Sequence, residues 1–118
     1  MQKQKIIDIE KTDVLNKARE MKSEGYRLGQ ILALPDLTLM YCFVKDESLV
    51  TFRYLADELS SVESISGVYS YAFMYENEIK ELFGINIVNI NIDFEGSFYE
   101  TSVKMPFRAA ESKVNKDE

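Results

Sequence analysis

Apolar residues recur at helical spacing in two segments of the chain, and the first of these is KTDVLNKAREMKSEGYR. Val14, Ala18 and Met21 fall on one face of this segment, which predicts an amphipathic helix. Thr12 is placed to cap the start of the helix, because a threonine hydroxyl can accept a bond from a free backbone N–H. Gly25 is placed to end it, since glycine readily adopts the left-handed conformation that follows many helices.

The second helical segment carries more apolar surface than one buried face requires. It begins near residue 69 or 70 and ends at Gly84. An arc of about 100° holds five of its apolar side chains, which are Ala72, Tyr75, Ile79, Leu82 and Phe83. Tyr71, Phe73 and Met74 extend the apolar surface beyond this arc. A helix that is apolar nearly all round is covered on several sides. The cover is either another chain or the loop before the helix.

Alternation of apolar and polar residues predicts strands in other parts of the chain. Three such runs lie between the two helices, and their short links are typical of antiparallel hairpins. A fourth run follows the second helix, so that the four are YRLGQILAL, LTLMYCFV, SLVTFRYL and INIVNINID. The stretch ADELSSVESISG reads as a connecting loop. The order α-β-β-β-α-β predicts an α+β fold in which two helices lie on a small, mostly antiparallel sheet.

The length of 118 residues is typical of one domain. We expect residues 1–96 to form the α+β domain and residues 97–110 to form an extended segment that docks on a partner. The remaining residues, 111–118, have the sequence ESKVNKDE, which is almost wholly charged or polar. That composition predicts a disordered tail.

Composition and charge exclude several classes of function. The net charge of −6 argues against nucleic-acid binding, which needs a basic surface for the phosphates. The chain has no histidine and one cysteine, Cys42, so we expect no iron–sulfur cluster and no zinc site in it. No uncharged run reaches the roughly 18–20 residues of a membrane helix, so we expect a soluble protein. The single thiol fits a reducing, cytoplasmic setting.

Glu76 and Glu78 stand two residues apart in the second predicted helix. Side chains at this spacing point to different sides of a helix, so the two carboxylates do not converge on a substrate as a general acid and base. Glu76 is spaced to pair with Lys80, or it belongs to a docking surface. Catalysis by the chain itself would need a carboxylate–tyrosine pair or Cys42, and we expect no catalytic residues.

The stretch YENEIKELFGI resembles the signature region of the C-type subunit of respiratory NADH–quinone oxidoreductase. It is led by SISGVYSYAF and followed by YETSVKMPFR, which strengthen the resemblance. That family has the pattern aromatic-x-Glu-Arg-Glu-x-x-Asp-Leu-Phe-Gly-Ile. The residues of this chain that match it are Glu76, Glu78, Leu82, Phe83, Gly84 and Ile85.

The chain also departs from this pattern. Glu81 stands at the usual aspartate and Asn77 replaces the arginine. The basic, proline-containing ending of the quinone enzymes is absent, and KMPFR stands in its place. The chain is more similar, over residues 5–107, to the D-type subunit of Ech-type, energy-converting membrane-bound nickel–iron hydrogenases.

The resemblance implies an accessory subunit that holds no cofactor. It implies packing against the large catalytic subunit of a membrane-bound hydrogenase or NADH dehydrogenase-like complex, in support of assembly and electron transfer. The partners implied are that large subunit and a small iron–sulfur subunit, which carry the nickel–iron and iron–sulfur centres. The complex would hold the chain at the cytoplasmic face of the cell membrane. An isolated chain could pair with a second copy through the same surface.

The predicted partner surface combines the second helix with the segment near the C-terminus. Its residues are Tyr71, Phe73, Met74, Glu76, Glu78, Tyr99, Pro106, Phe107 and Arg108. The alternative is a stand-alone binding module for a small molecule or a protein, with a pocket between helix and sheet.

Overall fold

The computed structural model describes residues 3–57 and 59–91. The strands in these residues are β1 (Lys3–Asp8), β2 (Arg27–Ala33), β3 (Thr38–Lys45), β4 (Ser48–Leu55), β5 (Ser61–Glu63) and β6 (Asn86–Val88). The α-helices are α1 (Val14–Ser23) and α2 (Ala72–Phe83). Four predicted partner residues, Tyr99, Pro106, Phe107 and Arg108, lie outside the described residues, as do the predicted segments 97–110 and 111–118.

The main sheet has four strands in the order β1-β4-β3-β2. Strands β2, β3 and β4 form the antiparallel meander that the short links predict, and β1 pairs with β4 in parallel. Strands β5 and β6 form a separate, parallel pair. The predicted α+β fold with a mostly antiparallel sheet is confirmed.

Three strand assignments differ from the prediction. β1 and β5 were not predicted, because β1 has only two apolar residues and β5 has only three residues in all. Asp8 of β1 accepts two bonds from Arg53 of β4, at 2.7 and 3.3 Å, where the two strands run side by side. The fourth predicted run keeps only the three residues of β6, and Asn89 just after it has a φ of 64°, which ends extended structure.

Helix α1 ends with a pair of bonds around Gly25, as its sequence predicts. The Gly25 N–H donates to the Lys22 carbonyl at 3.0 Å, and the Tyr26 N–H donates to the Met21 carbonyl at 2.9 Å. This is the Schellman arrangement, which satisfies the last carbonyls of a helix and places its glycine at positive φ. Gly25 has a φ of 88°.

The predicted cap at Thr12 is wrong. A 3-10 turn over Lys11–Asp13 leads into α1, and Asp13 takes the N-cap position. The Asp13 carboxylate accepts a bond from the Glu10 N–H at 3.2 Å, so it closes the 3-10 turn and does not cap the α-helix. The reason is local: the turn places Thr12 inside a helical stretch, where its hydroxyl is not at the helix start.

The core lies between one face of the main sheet and the two helices. The predicted apolar stripe of α1 is buried there, in the residues Val14, Ala18 and Met21. Phe43 lies 1% exposed in β3, with its ring centroid 5.9 Å from that of Phe52 and 5.6 Å from that of Tyr69. Aromatic rings at these separations stabilise a core beyond the area that they bury.

We expect Gly25→Ala to lower the free energy of unfolding by about 1–2 kcal/mol, because an L side chain is strained at positive φ. Urea denaturation of the two proteins measures this difference. The matched control is Gly67→Ala, because a Cβ at Gly67 meets no atom within 4 Å and its φ is not positive. Equal effects of the two substitutions would contradict this account of the helix end.

Candidate docking site

Two tyrosines anchor the N-terminal end of α2 to the free edge of β2. The Tyr71 hydroxyl donates to the Leu28 carbonyl and accepts from the Leu28 N–H, both at 3.0 Å. One helical turn later, the Tyr75 hydroxyl donates to the Gly29 carbonyl at 3.1 Å. These bonds occupy edge groups that would otherwise be open to another strand. Tyr71 therefore serves the fold, while 44% of its surface stays exposed.

The inner face of α2 contains a carboxylate. Ala72, Glu76, Ile79 and Phe83 recur at helical spacing and are 0, 0, 4 and 8% exposed. Four of the five residues in the predicted core arc are buried, and Tyr75 is the exception at its edge. The helix is thus rotated toward Glu76 relative to the predicted orientation.

Glu76 is held by donors from the segment between β5 and α2. Its Oε1 accepts from the Ser64 hydroxyl at 2.6 Å, and its Oε2 accepts from the Ile65 N–H at 2.8 Å. The surface pair with Lys80 that the i,i+4 spacing predicts is therefore wrong for this carboxylate. Because Glu76 is fully buried within its own chain, it presents no surface of its own to a partner.

Two further residues extend this network toward the end of the described chain. Ser66 is 3% exposed; its N–H donates to the Ser64 Oγ at 2.9 Å, and the two hydroxyl oxygens are 2.7 Å apart. The Asn91 N–H donates to the Ser66 Oγ at 2.9 Å. Sequence reasoning missed Ser64, Ser66 and Asn91, because no local spacing connects them with Glu76.

Burial raises the pKa of Glu76 from 4.5 to about 7, although the bonds from Ser64 and Ile65 act in the opposite direction. The hydroxyl of Tyr41, in β3, is buried and has no hydrogen-bond partner in the described part of the chain. Burial raises the pKa of Tyr41, and the charge of Glu76 raises it further. The two groups therefore share one low-dielectric region under α2.

The outer side of α2 is more polar and partly exposed. Met74 is 46% exposed, while Phe73 is half-buried and packs against the core of its own chain. Glu78 is half-buried and stands two residues from Glu76, so the two carboxylates lie on different sides of the helix. Glu81, by contrast, is buried at 7% exposure, and its Oε1 has no hydrogen-bond partner among the described residues. Of the predicted partner residues on this helix, Met74 is the large apolar one that is most accessible.

The remaining residues of the predicted motif build the end of α2. Leu82 and Phe83 are each 8% exposed, and Ile85 is 1% exposed. Gly84 has a φ of 73° and follows the last residue of the helix, so the predicted helix end is confirmed. Leu82, Phe83 and Ile85 therefore pack in the interior, and Gly84 turns the chain.

The described residues give little support for a metal site, a reactive cysteine or an enclosed ligand pocket. No group of three or more His, Cys, Asp or Glu side chains in residues 3–57 and 59–91 could hold a metal ion. Cys42 is buried and its sulfur accepts from the Thr51 hydroxyl at 3.5 Å. Two open depressions, of about 450 and 390 Å³, lie around Tyr54 and Leu55, away from α2. Within the same residues, no helix has the length and apolar character needed to cross a membrane.

Fold and site together define a small α+β domain in which a buried, hydrogen-bonded carboxylate clamps a helix to the segment that precedes it. The family model described as "Respiratory-chain NADH dehydrogenase, 30 Kd subunit" matches residues 7–111. The chain belongs to this family. The sequence resemblance is confirmed at this level, and the finer assignment to the D-type subunit of Ech-type hydrogenases stays a prediction.

A solved structure has the same fold. It is described as "Structure of the membrane-bound sulfane sulfur reductase (MBS), an archaeal respiratory membrane complex". The similarity covers 100% of this chain and 81% of the other chain, with a TM-score of 0.67 and 15% sequence identity. No curated protein sequence matches significantly.

We expect Glu76→Gln to change how stability depends on pH. Because the pKa is raised, the folded state still holds a proton at pH values where the unfolded state has lost it. The stability that this proton gives the folded state is fully present below about pH 4.5 and is lost as pH rises through about 7. Relative to Glu76→Gln, the wild type should lose about 3 kcal/mol of unfolding free energy across this range. Urea denaturation at a series of pH values measures it.

The control for this experiment is Glu78→Gln, which removes the same charge from a half-buried position on the same helix. Because Glu76 stays in place in this variant, we expect the loss of stability toward pH 7 to persist. Parallel profiles for the wild type and Glu76→Gln would contradict the raised pKa of this carboxylate.

Proposed function

We propose that this chain is an accessory docking subunit of a membrane-bound oxidoreductase complex. The observation that carries the proposal is the family membership over residues 7–111. In the complex, the chain packs against the large catalytic subunit in the soluble arm and supports assembly and electron transfer. The large subunit and a small iron–sulfur subunit hold the nickel–iron and iron–sulfur centres, and they place the chain at the cytoplasmic face of the membrane.

The hydrogenase type of complex is supported by Asn77. This residue stands where the quinone enzymes carry arginine, and it is 3% exposed with its side-chain amide donating to the Phe73 carbonyl at 2.8 Å. An arginine side chain at this buried position would need different neighbours. The surroundings of Asn77 therefore fit the hydrogenase type of complex, in which this arginine is absent. The similarity to a sulfane sulfur reductase complex makes a sulfur-reducing relative the second candidate.

The docking surface proposed here is the exposed side of α2 together with residues 97–110. Tyr71 and Met74, 44 and 46% exposed, supply apolar area on the helix. Glu78 adds an acidic group on the same helix. Tyr99, Pro106, Phe107 and Arg108 supply the contacts of the C-terminal segment, and Phe73 supports the surface from below.

We expect the full chain, used as bait on detergent-solubilised native membranes, to recover a nickel–iron-type large subunit and a small iron–sulfur subunit. Met74→Asp should lower that recovery by at least about tenfold, because a charge in the apolar centre of an interface removes a principal contact. Mass spectrometry identifies the recovered chains and distinguishes a hydrogenase from a sulfur-reducing complex.

Leu59→Asp is the matched control, because Leu59 is 98% exposed, apolar and located in a loop away from α2. Its recovery of both partners should equal that of the wild type. A wild-type chain that stays monomeric and recovers neither subunit would overturn the proposed function. Equal recovery by Met74→Asp would show that α2 is not the docking surface.

A further inference from the structure

The outer face of the main sheet, which is the face turned away from the two helices, is rich in apolar side chains. Side chains alternate between the two faces of a strand, so the register of the four strands decides which residues share this side. Four of its large apolar residues are 52, 40, 42 and 67% exposed, and these are Ile6, Leu32, Leu34 and Leu55. Met40 and Leu49, on the two central strands, are half-buried on the same face.

Part of the outer face is one open depression of about 390 Å³. Leu34, Met40 and Leu55 line it together with Asp36 and Arg53. Residues from three strands and a turn therefore form a continuous surface. A contiguous apolar surface with a polar rim is typical of an interaction site on a soluble protein.

Charges of both signs stand at defined places on the outer face. Arg53 binds Asp8 across β4 and β1 at 2.7 Å. Arg27 is the first residue of β2 and lies opposite Val44, while Asp36 follows the other end of β2. The seven residues of β2 separate the Arg27 end from the Asp36 end by about 20 Å. The two arginines balance the two aspartates here, although the whole chain carries a net charge of −6.

This distribution of charge makes the outer face complementary to itself. In a two-fold dimer the same surface is used by both copies. A two-fold axis that crosses the strands lays β2 of one copy over β2 of the other, in the opposite direction. Arg27 of each copy then faces the Asp36 end of its partner, and the apolar side chains between these ends face one another. Because the charges on this face balance, repulsion between two acidic chains is weakest there.

The dimensions of the outer face suit packing against a second sheet. Four strands spaced by about 4.8 Å, with up to eight residues of about 3.3 Å each, cover about 19 by 26 Å. Sheets that pack face to face keep their strands nearly aligned. A stable interface buries about 800 Å² of each partner, and the projected area of about 500 Å² approaches this value once side chains are included. A dimer that forms at micromolar concentrations is the expected result.

We propose that the outer face of the main sheet is a self-association surface, on which a second copy of this chain packs sheet against sheet with Arg27 of each copy against Asp36 of the other. The inference goes beyond the proposed function, because it uses the side of the sheet opposite to α2. It also differs from pairing through α2, since the exposed side of that helix stays open in this dimer.

Sedimentation equilibrium of the isolated full chain, at about 5–200 µM, measures the dimer. Leu32→Asp should raise the dissociation constant at least about tenfold, because it places a charge in the apolar part of the interface. Leu59→Asp is the control, since Leu59 is 98% exposed in a loop, and it should not change the constant. A wild type that stays monomeric over this range, or a dimer that Leu32→Asp leaves intact, would overturn the inference.

Charge reversal tests the orientation of the two copies. Arg27→Glu and Asp36→Arg should each weaken the dimer several-fold, and the double variant should restore most of the loss, because each copy again meets an opposite charge. The two positions are about 20 Å apart in one chain, so restoration must come from contacts between copies. Single variants without effect, or a double variant that is no tighter than the weaker single one, would overturn the pairing of Arg27 with Asp36.

The membrane pull-down with Leu32→Asp separates this inference from the proposed function. Recovery of the large subunit should equal that of the wild type, because α2 is unchanged. If the wild type recovers neither subunit, the proposed function fails and sedimentation still decides the inference. If Leu32→Asp alone loses the large subunit, the outer face binds that subunit, and the inference is overturned while the proposed function stands.

Discussion

The buried carboxylate of Glu76 is the constraint on which the arrangement of α2 depends. A carboxylate without solvent is stable only where donors meet its oxygens, and removal of a donor leaves an unsatisfied charge that costs more than the bond itself contributed. Ser64 and Ile65 are those donors, so the helix and the segment after β5 must stay together. Through Ser66, the same network reaches the backbone of Asn91, which follows β6.

The family motif consequently describes a fold more than a chemical site. Glu76, Leu82, Phe83 and Ile85 are buried, and Gly84 turns the chain at positive φ. Two tyrosines outside the matched motif residues, Tyr71 and Tyr75, fix the other end of the same helix to the edge of β2. With its inner face and its N-terminal end committed to its own chain, α2 leaves Met74 accessible on its outer side.

Hydrophobic periodicity was sufficient for the elements whose stability is local. It predicted the stripe of α1, the β2–β3–β4 meander and the glycines that end both helices. It did not predict β1, whose partner strand is forty-five residues away and whose own pattern is weak. It placed Glu76 on the surface, because a hydrophobic scale counts every carboxylate as exposed and cannot register donors supplied from eleven and twelve residues earlier in the chain.

The most direct test of this account is a carbon-13 NMR titration of the glutamate side-chain carboxyls in the full chain. Burial under α2 raises the pKa of Glu76 to about 7, so its carboxyl resonance should move between about pH 6 and 8, well above the range of an ordinary glutamate. A Glu76 resonance that completes its titration near pH 4.5 would contradict the low-dielectric surroundings of this carboxylate.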